Sequence, residues 1–90
     1  MKATRILVTG RVQGVGFRFH TERLARALGL RGFVRNLPDG RVEAVAAGPR
    51  DRLDRFLAEL RHGPRGARVD ELESADAELD DGVETFLIRP

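Results

Sequence analysis

Cysteine is absent from the 90 residues, and so are tryptophan and tyrosine. Without cysteine there is no disulfide framework, no thiolate metal site and no thiol nucleophile. His20 and His62 are the only histidines. A metal site would need carboxylates at ligand spacing from one of them, and no Asp or Glu stands in such a pattern. The expectation is no metal and no cofactor. No apolar run is long enough to cross a bilayer. The opening stretch Met1–Arg11 alternates apolar and polar residues, where a signal peptide would carry an unbroken apolar region. Together these absences predict a cytoplasmic protein with no membrane partner. Lysine is scarce as well, Lys2 being the single lysine among sixteen basic residues, but no function follows from that.

What is present fits one small globular domain. A chain of this length supports a single modest core, so residues 1–90 are read as one domain, with a monomer as the default. A hydrophobic share of 41% beside 33% charged residues is that of an ordinary soluble protein and not of a disordered one. The net charge of +2 hides an asymmetry: residues 1–45 carry nine basic against three acidic side chains, and residues 46–90 seven against eleven. From Asp70 to Glu84 there are eight acids and no base. A basic half can steer an anionic substrate. Solvated faces of different sign account for the same counts, and charge alone does not choose between them.

The periodicities divide the chain into strands and helices. Arg5–Arg11 alternates, with β-branched Ile6 and Val8 on one face of a first strand. Phe17, Thr21, Leu24, Ala25 and Leu28 recur at helical spacing until Gly29 provides a C-terminal stop. Leu30–Leu37 and Arg41–Ala47 read as two strands joined by Pro38-Asp39-Gly40, where proline presets one turn angle and glycine accepts positive φ. Gly48-Pro49 opens a second helix, Leu53, Phe56, Leu57 and Leu60 form its buried stripe, and Gly63-Pro64 ends it. Val69–Leu79 is acidic and reads as an exposed or edge strand, and Val83–Arg89 closes the chain as a last strand. The order β-α-β-β-α-β predicts an α+β fold, a ferredoxin-like sandwich with two helices on one face of an antiparallel sheet. Fold alone leaves function open.

The chemistry concentrates in the strand-to-helix turn Gly10-Arg-Val-Gln-Gly-Val-Gly-Phe-Arg18. Its glycines permit a concave backbone whose N–H groups converge, beside the unpaired N–H groups and positive dipole end of the following helix. Arg18 adds a planar, permanently charged fork that matches phosphate oxygens. An arginine in a first helical turn opposes the helix dipole, and a bound anion would offset that. On glycine content alone, however, the turn is no more than a short crossover. It also fails the nucleotide templates, having neither the Gly-Lys-Ser/Thr ending of a P-loop nor Gly-x-Gly-x-x-Gly spacing.

The stretch Gly32-Phe-Val-Arg-Asn36 ends eighteen residues beyond Arg18, and the two stretches together resemble the paired signatures of the acylphosphatase family. The Gly40 hairpin, the Gly48-Pro49 helix start and the closing Phe-x-Ile-Arg at 86–89 extend the resemblance over nearly the whole chain. It implies a metal-independent hydrolase that splits acyl phosphates into carboxylate and inorganic phosphate. It also implies a phosphate-binding backbone at Gln13, Gly14, Val15, Gly16, Phe17 and Arg18, with Arg18 as electrostatic clamp. Asn36 would hold the attacking water. His20 carries no role in that family, and Thr21 is expected to pack inward with its hydroxyl bonded locally. Three positions depart from common family usage. Leu37 replaces a threonine frequent in vertebrate members, and His20 and Pro90 stand where aromatics are common.

Two other functions belong to the same fold. An RNA-binding module is suggested by Arg31-Gly-Phe-Val34, but base stacking needs aromatics on the central strands and Arg41–Ala47 has none. No nucleic-acid partner is therefore expected. A phosphate-sensing or carrier module would keep the cradle without turnover, as acylphosphatase-like domains inside larger hydrogenase-maturation proteins illustrate. Both motifs being intact, the expected partner is a small-molecule acyl phosphate.

Overall fold

Ile6 and Val8 face one way and Arg5 and Leu7 the other along β1 (Lys2–Arg11), the period of two that a half-buried strand requires. The computed structural model describes residues 1–90, and β1 is followed by α1 (Phe17–Ala27), β2 (Arg31–Asn36), β3 (Val42–Ala47), α2 (Arg50–His62), β4 (Arg68–Glu78) and β5 (Phe86–Ile88). The sheet order is β4-β1-β3-β2-β5. β3, in the middle, has all six residues buried. Both helices lie on one face, burying Phe17, Thr21 and Ala25 from α1 and Leu53, Phe56 and Leu60 from α2. These side chains close over Ile6, Val8, Val34, Val42, Ala44 and Ala46 of the sheet. The fold is the ferredoxin-like α+β sandwich.

One pairing differs from the expected antiparallel sheet. β5 runs parallel to β2, with Gly32 opposite Phe86 and Val34 opposite Ile88. The cause is the route of the chain. β4 leaves the sheet at the Lys2 end of β1, and the connection then crosses the helix-free face, where Leu79 and Val83 cover Ala3, Val45 and Ala47. It arrives beside the start of β2, where Arg31 Nε donates to the Val83 carbonyl at 2.9 Å. From there the free edge can be followed only in the direction of β2. β5 is also shorter than the Val83–Arg89 expected, because residues before Phe86 are spent on that crossing. Acidic β4 lies at the opposite edge, as its composition suggested.

The β2–β3 turn is closed by Leu37 N–H donating to the Arg41 carbonyl at 2.8 Å and Gly40 N–H donating to the Leu37 carbonyl at 3.2 Å. Asp39 accepts from Arg41 N–H at 3.0 Å and from Arg41 Nε at 2.8 Å. These bonds hold the Asp39 carboxyl below its ordinary pKa, the backbone N–H contributing most. The turn therefore gives Asn36, the last residue of β2, a firm base.

Candidate active site

Two stretches distant in sequence meet at one end of the sheet: the connection between β1 and α1, and the end of β2. Val12 and Phe17, each 1% exposed, fasten the connection to the core at both ends. Between them Gly14 and Gly16 adopt φ of 75° and 78°. A Cβ at either would meet nothing within 4 Å, so glycine is required there by backbone conformation and not by space.

Gly16 is the N-cap of α1, and no side chain caps the helix. The first intrahelical bond runs from His20 N–H to the Gly16 carbonyl at 3.0 Å. The N–H groups of Phe17, Arg18 and Phe19 precede it and remain available to a ligand. The two helices differ in whether an acid stands in the first turn. α2 has Asp51 in its first turn and Arg61 and His62 in its last, each favourable. α1 has no acid in its first turn and places Arg18 there instead. The positive end of α1 is thus reinforced by Arg18 with no carboxylate in the same turn to offset it.

Gly14, Gly16, Phe17 and Arg18 line a cleft of about 160 Å³ together with Asn36 from the end of β2. Phe19, 63% exposed, stands at its rim. The volume lies below the roughly 300–1,000 Å³ of a drug-sized ligand pocket, and suits a small anion better than a nucleotide. Arg18 makes no ion pair, and its one hydrogen bond is a long 3.4 Å contact from Nη1 to the Arg89 carbonyl. Most of its donor capacity is uncommitted. Asn36 Oδ1 is buried and accepts from no donor in the chain. A buried acceptor left unpaired costs on the order of 1–3 kcal/mol, so a donor arriving with the ligand or solvent would relieve it.

The residues expected to form the cradle divide between two tasks. Gly14, Gly16, Phe17 and Arg18 reach the cleft, whereas Val15 leans on the hydrophobic core. The Gln13 side chain turns away from the cleft and donates from Nε2 to the Leu37 carbonyl at 2.8 Å and the Arg41 carbonyl at 2.9 Å. Nothing local in the sequence marks that link, since its acceptors lie 24 and 28 residues away.

His20 is half-buried with its ring edge against Phe17 at 6.3 Å, outside the cleft. Burial, helped by Arg23 and opposed by Glu59, lowers its pKa below the ordinary value of 6.5. Thr21 is fully buried and donates to the Phe17 carbonyl at 2.8 Å. Behind Asn36, on the helix-free face, the buried Glu43 accepts from Arg5 Nε at 2.5 Å and Arg35 Nε at 2.6 Å. Burial pushes the Glu43 pKa up, but the two guanidiniums outweigh it and hold the carboxyl below its ordinary 4.5. No group of three or more His, Cys, Asp or Glu side chains is placed to hold a metal ion. No helix is long and apolar enough to cross a membrane. On the helix-free face Phe33 lies under the Arg89 guanidinium, 4.0 Å from the ring centroid, so this aromatic is covered and not open for base stacking.

Comparison with known proteins agrees with this geometry. The family model described as Acylphosphatase matches residues 4–88. A relative from Koribacter versatilis named Acylphosphatase is 54% identical over 85 residues, covering 94% of this chain and 77% of that one. The crystal structure of acylphosphatase from Bacillus subtilis superposes with a TM-score of 0.93 at 37% identity, covering 100% of both chains. HypF of T. kodakarensis contains a similar unit, with a TM-score of 0.89 and 35% identity over all of this chain but 12% of its own. Neither the RNA-binding nor the phosphate-sensing reading gains support from these relatives. A match that runs from the first strand to the last, over a fold carrying the paired Arg18 and Asn36, places this chain in the acylphosphatase family.

Proposed function

We propose that this acylphosphatase holds the phosphoryl group of its substrate in the backbone cradle of residues 13–18, clamps it with Arg18 and directs the attacking water from Asn36. The observation that carries this reading is that a residue with an uncommitted guanidinium and a residue with an unsatisfied buried acceptor line one small cleft. Water attacks phosphorus while the bond from phosphorus to the carboxyl oxygen breaks. The acyl group leaves as carboxylate and the phosphoryl group becomes inorganic phosphate.

An acyl phosphate is already activated, so positioning and charge compensation carry the catalysis. Arg18 and the N–H groups at the start of α1 oppose negative charge on the transferring oxygens. Asn36 Oδ1 accepts a water hydrogen and fixes the direction of the oxygen lone pair. Being uncharged, it removes no proton. That proton passes to the substrate side, either to a phosphate oxygen or to the departing carboxylate. His20 is placed against Phe17 and takes no part. The chain acts as one domain, as a cytoplasmic monomer without metal or nucleic-acid partner.

Benzoyl phosphate is a suitable probe because its ring can rest on the exposed Phe19 at the rim. Its hydrolysis, followed by absorbance, is expected to proceed equally well with a chelator present. Inorganic phosphate is expected to inhibit competitively, being both product and occupant of the cradle. Absence of turnover above the uncatalysed rate would defeat the catalytic reading, and loss of turnover with chelator the metal-free mechanism.

A further inference from the structure

The cradle and Asn36 belong to different segments, and catalysis on the proposed plan requires their separation to be held constant. Only one set of hydrogen bonds joins the 12–16 connection to the β2–β3 turn, and both members come from the Gln13 amide. We infer that Gln13 is a positioning residue whose side chain sets the water-directing Asn36 in register with the phosphate cradle. This rests on the function proposed above and adds to it a side chain that touches neither substrate nor water.

The geometry suits that task. Leu37 follows Asn36 directly, and Arg41 closes the same turn. The Leu37 carbonyl accepts from Gly40 N–H as well as from Gln13, and the Arg41 carbonyl from Leu37 N–H as well as from Gln13. Each carbonyl oxygen has two acceptor sites, and both are filled. The Gln13 Nε2 group spends both of its hydrogens across the gap. Its backbone, meanwhile, belongs to the turn that leads through Gly14 and Gly16 into α1. One residue therefore fastens the phosphate side of the cleft to the water side.

A purely structural brace makes a different forecast. If the amide is removed, both carbonyls keep their backbone donors, so no buried group is orphaned and the loss of stability is small. What changes is the freedom of the turn relative to the cradle. A misplacement of about 1 Å in a reacting group can cost about 10²-fold in rate. The expected signature is therefore a fall in turnover out of proportion to any fall in phosphate affinity or melting temperature.

The test is a double-mutant cycle on the whole chain with benzoyl phosphate as substrate and inorganic phosphate as inhibitor. Gln13→Met, similar in length but without donors, is expected to lower kcat by about 10-fold, while the inhibition constant of phosphate stays within about 2-fold. In an Asn36→Ala background the same substitution is expected to change kcat by less than about 2-fold, because there is no water-directing group left to misplace. Equal losses in both backgrounds would overturn the inference, as would a loss of phosphate affinity matching the loss of kcat. If Gln13→Met does not fold by circular dichroism, Gln13→Ala, which also lacks both donors and adds no charge, enters the same cycle. Failure of the wild-type chain to turn over would instead strike the proposed function. Additive losses in an active enzyme would strike the role of Gln13 alone.

Discussion

Arg18 and Asn36 face the same cleft with different chemistry, so their removal should produce different defects. On the proposed mechanism Arg18 supplies charge that a ground-state phosphate already feels, and that charge grows in importance as the phosphoryl group detaches. Arg18→Ala is therefore expected to weaken inhibition by inorganic phosphate and to lower kcat/KM by about 10³-fold or more. On the proposed mechanism Asn36 contacts the nucleophile and not the phosphate. Asn36→Ala should cost roughly 10²–10³-fold in kcat, the usual effect of losing one positioned polar group, with phosphate inhibition nearly unchanged. Steady-state kinetics with phosphate as inhibitor separates the two. If Asn36→Ala lost phosphate affinity and retained its kcat, water direction would be the wrong role for it.

At the scale of elements, the site depends on how closely β2 and β3 approach. Gly32 sits buried in β2 with φ of 146°, and a Cβ built there would lie 1.8 Å from the Val45 carbonyl oxygen. That neighbour is backbone in the central strand and cannot swing aside. Gly32→Ala is expected to destabilise by about 3 kcal/mol or more, since it combines strain at a special φ with overpacking. Chemical denaturation reads this directly, and a variant within about 1 kcal/mol of the parent would show that the β2–β3 pair can separate cheaply.

The same elements show which features were legible in the sequence. Helical spacing set the face of α1, and Phe17, Thr21 and Ala25 are its buried residues. Pro38-Asp39-Gly40 located the turn because its signals are local. The charges of Asp70 to Glu84 correctly suggested an edge. The direction of β5 was not legible, because alternation tells which face a residue takes and says nothing of which way the strand runs beside its neighbour. The task of the Gln13 side chain was hidden for a related reason: its partners are backbone carbonyls, which leave no mark on residue identity. The residues at the cleft were named through two motifs, and the bond between those motifs became visible only in three dimensions.

Across the whole molecule the charges have distinct positions. Every residue that lines the cleft comes from the basic first half, while Asp70, Glu71, Glu73, Asp76 and Glu78 lie along β4, where like charges discourage pairing with another chain. Two titrating groups near the core then contribute to how the fold responds to acid. They do so beside the exposed Asp39, Asp70 and Asp81, whose carboxyls are also held below their ordinary value by hydrogen bonds to Arg41, Arg68 and the N-terminal ammonium. Burial lowers the pKa of His20, so the unfolded chain takes up a proton near the ordinary 6.5 before the folded chain does. Stability tied to neutral His20 is complete above that value and is lost as pH falls through the folded pKa. Glu43 is lowered from 4.5, burial being overcome by Arg5 and Arg35, and its contribution likewise disappears as pH drops below 4.5. Both effects have the same sign, the first setting in below 6.5 and the second below 4.5. The melting temperature is therefore expected to fall as the solution is acidified below 6.5, and further below 4.5. His20→Leu should remove the part that sets in near 6.5 and leave the part that sets in near 4.5. Glu43→Gln should do the reverse, because it keeps the side chain's shape at the centre of the sheet and removes its charge. Melting curves across this range for the three proteins decide the matter. An unchanged slope near 6.5 in His20→Leu would mean that the ring gains its proton without straining the contact with Phe17, and the origin of acid sensitivity would then have to be sought among the exposed carboxylates.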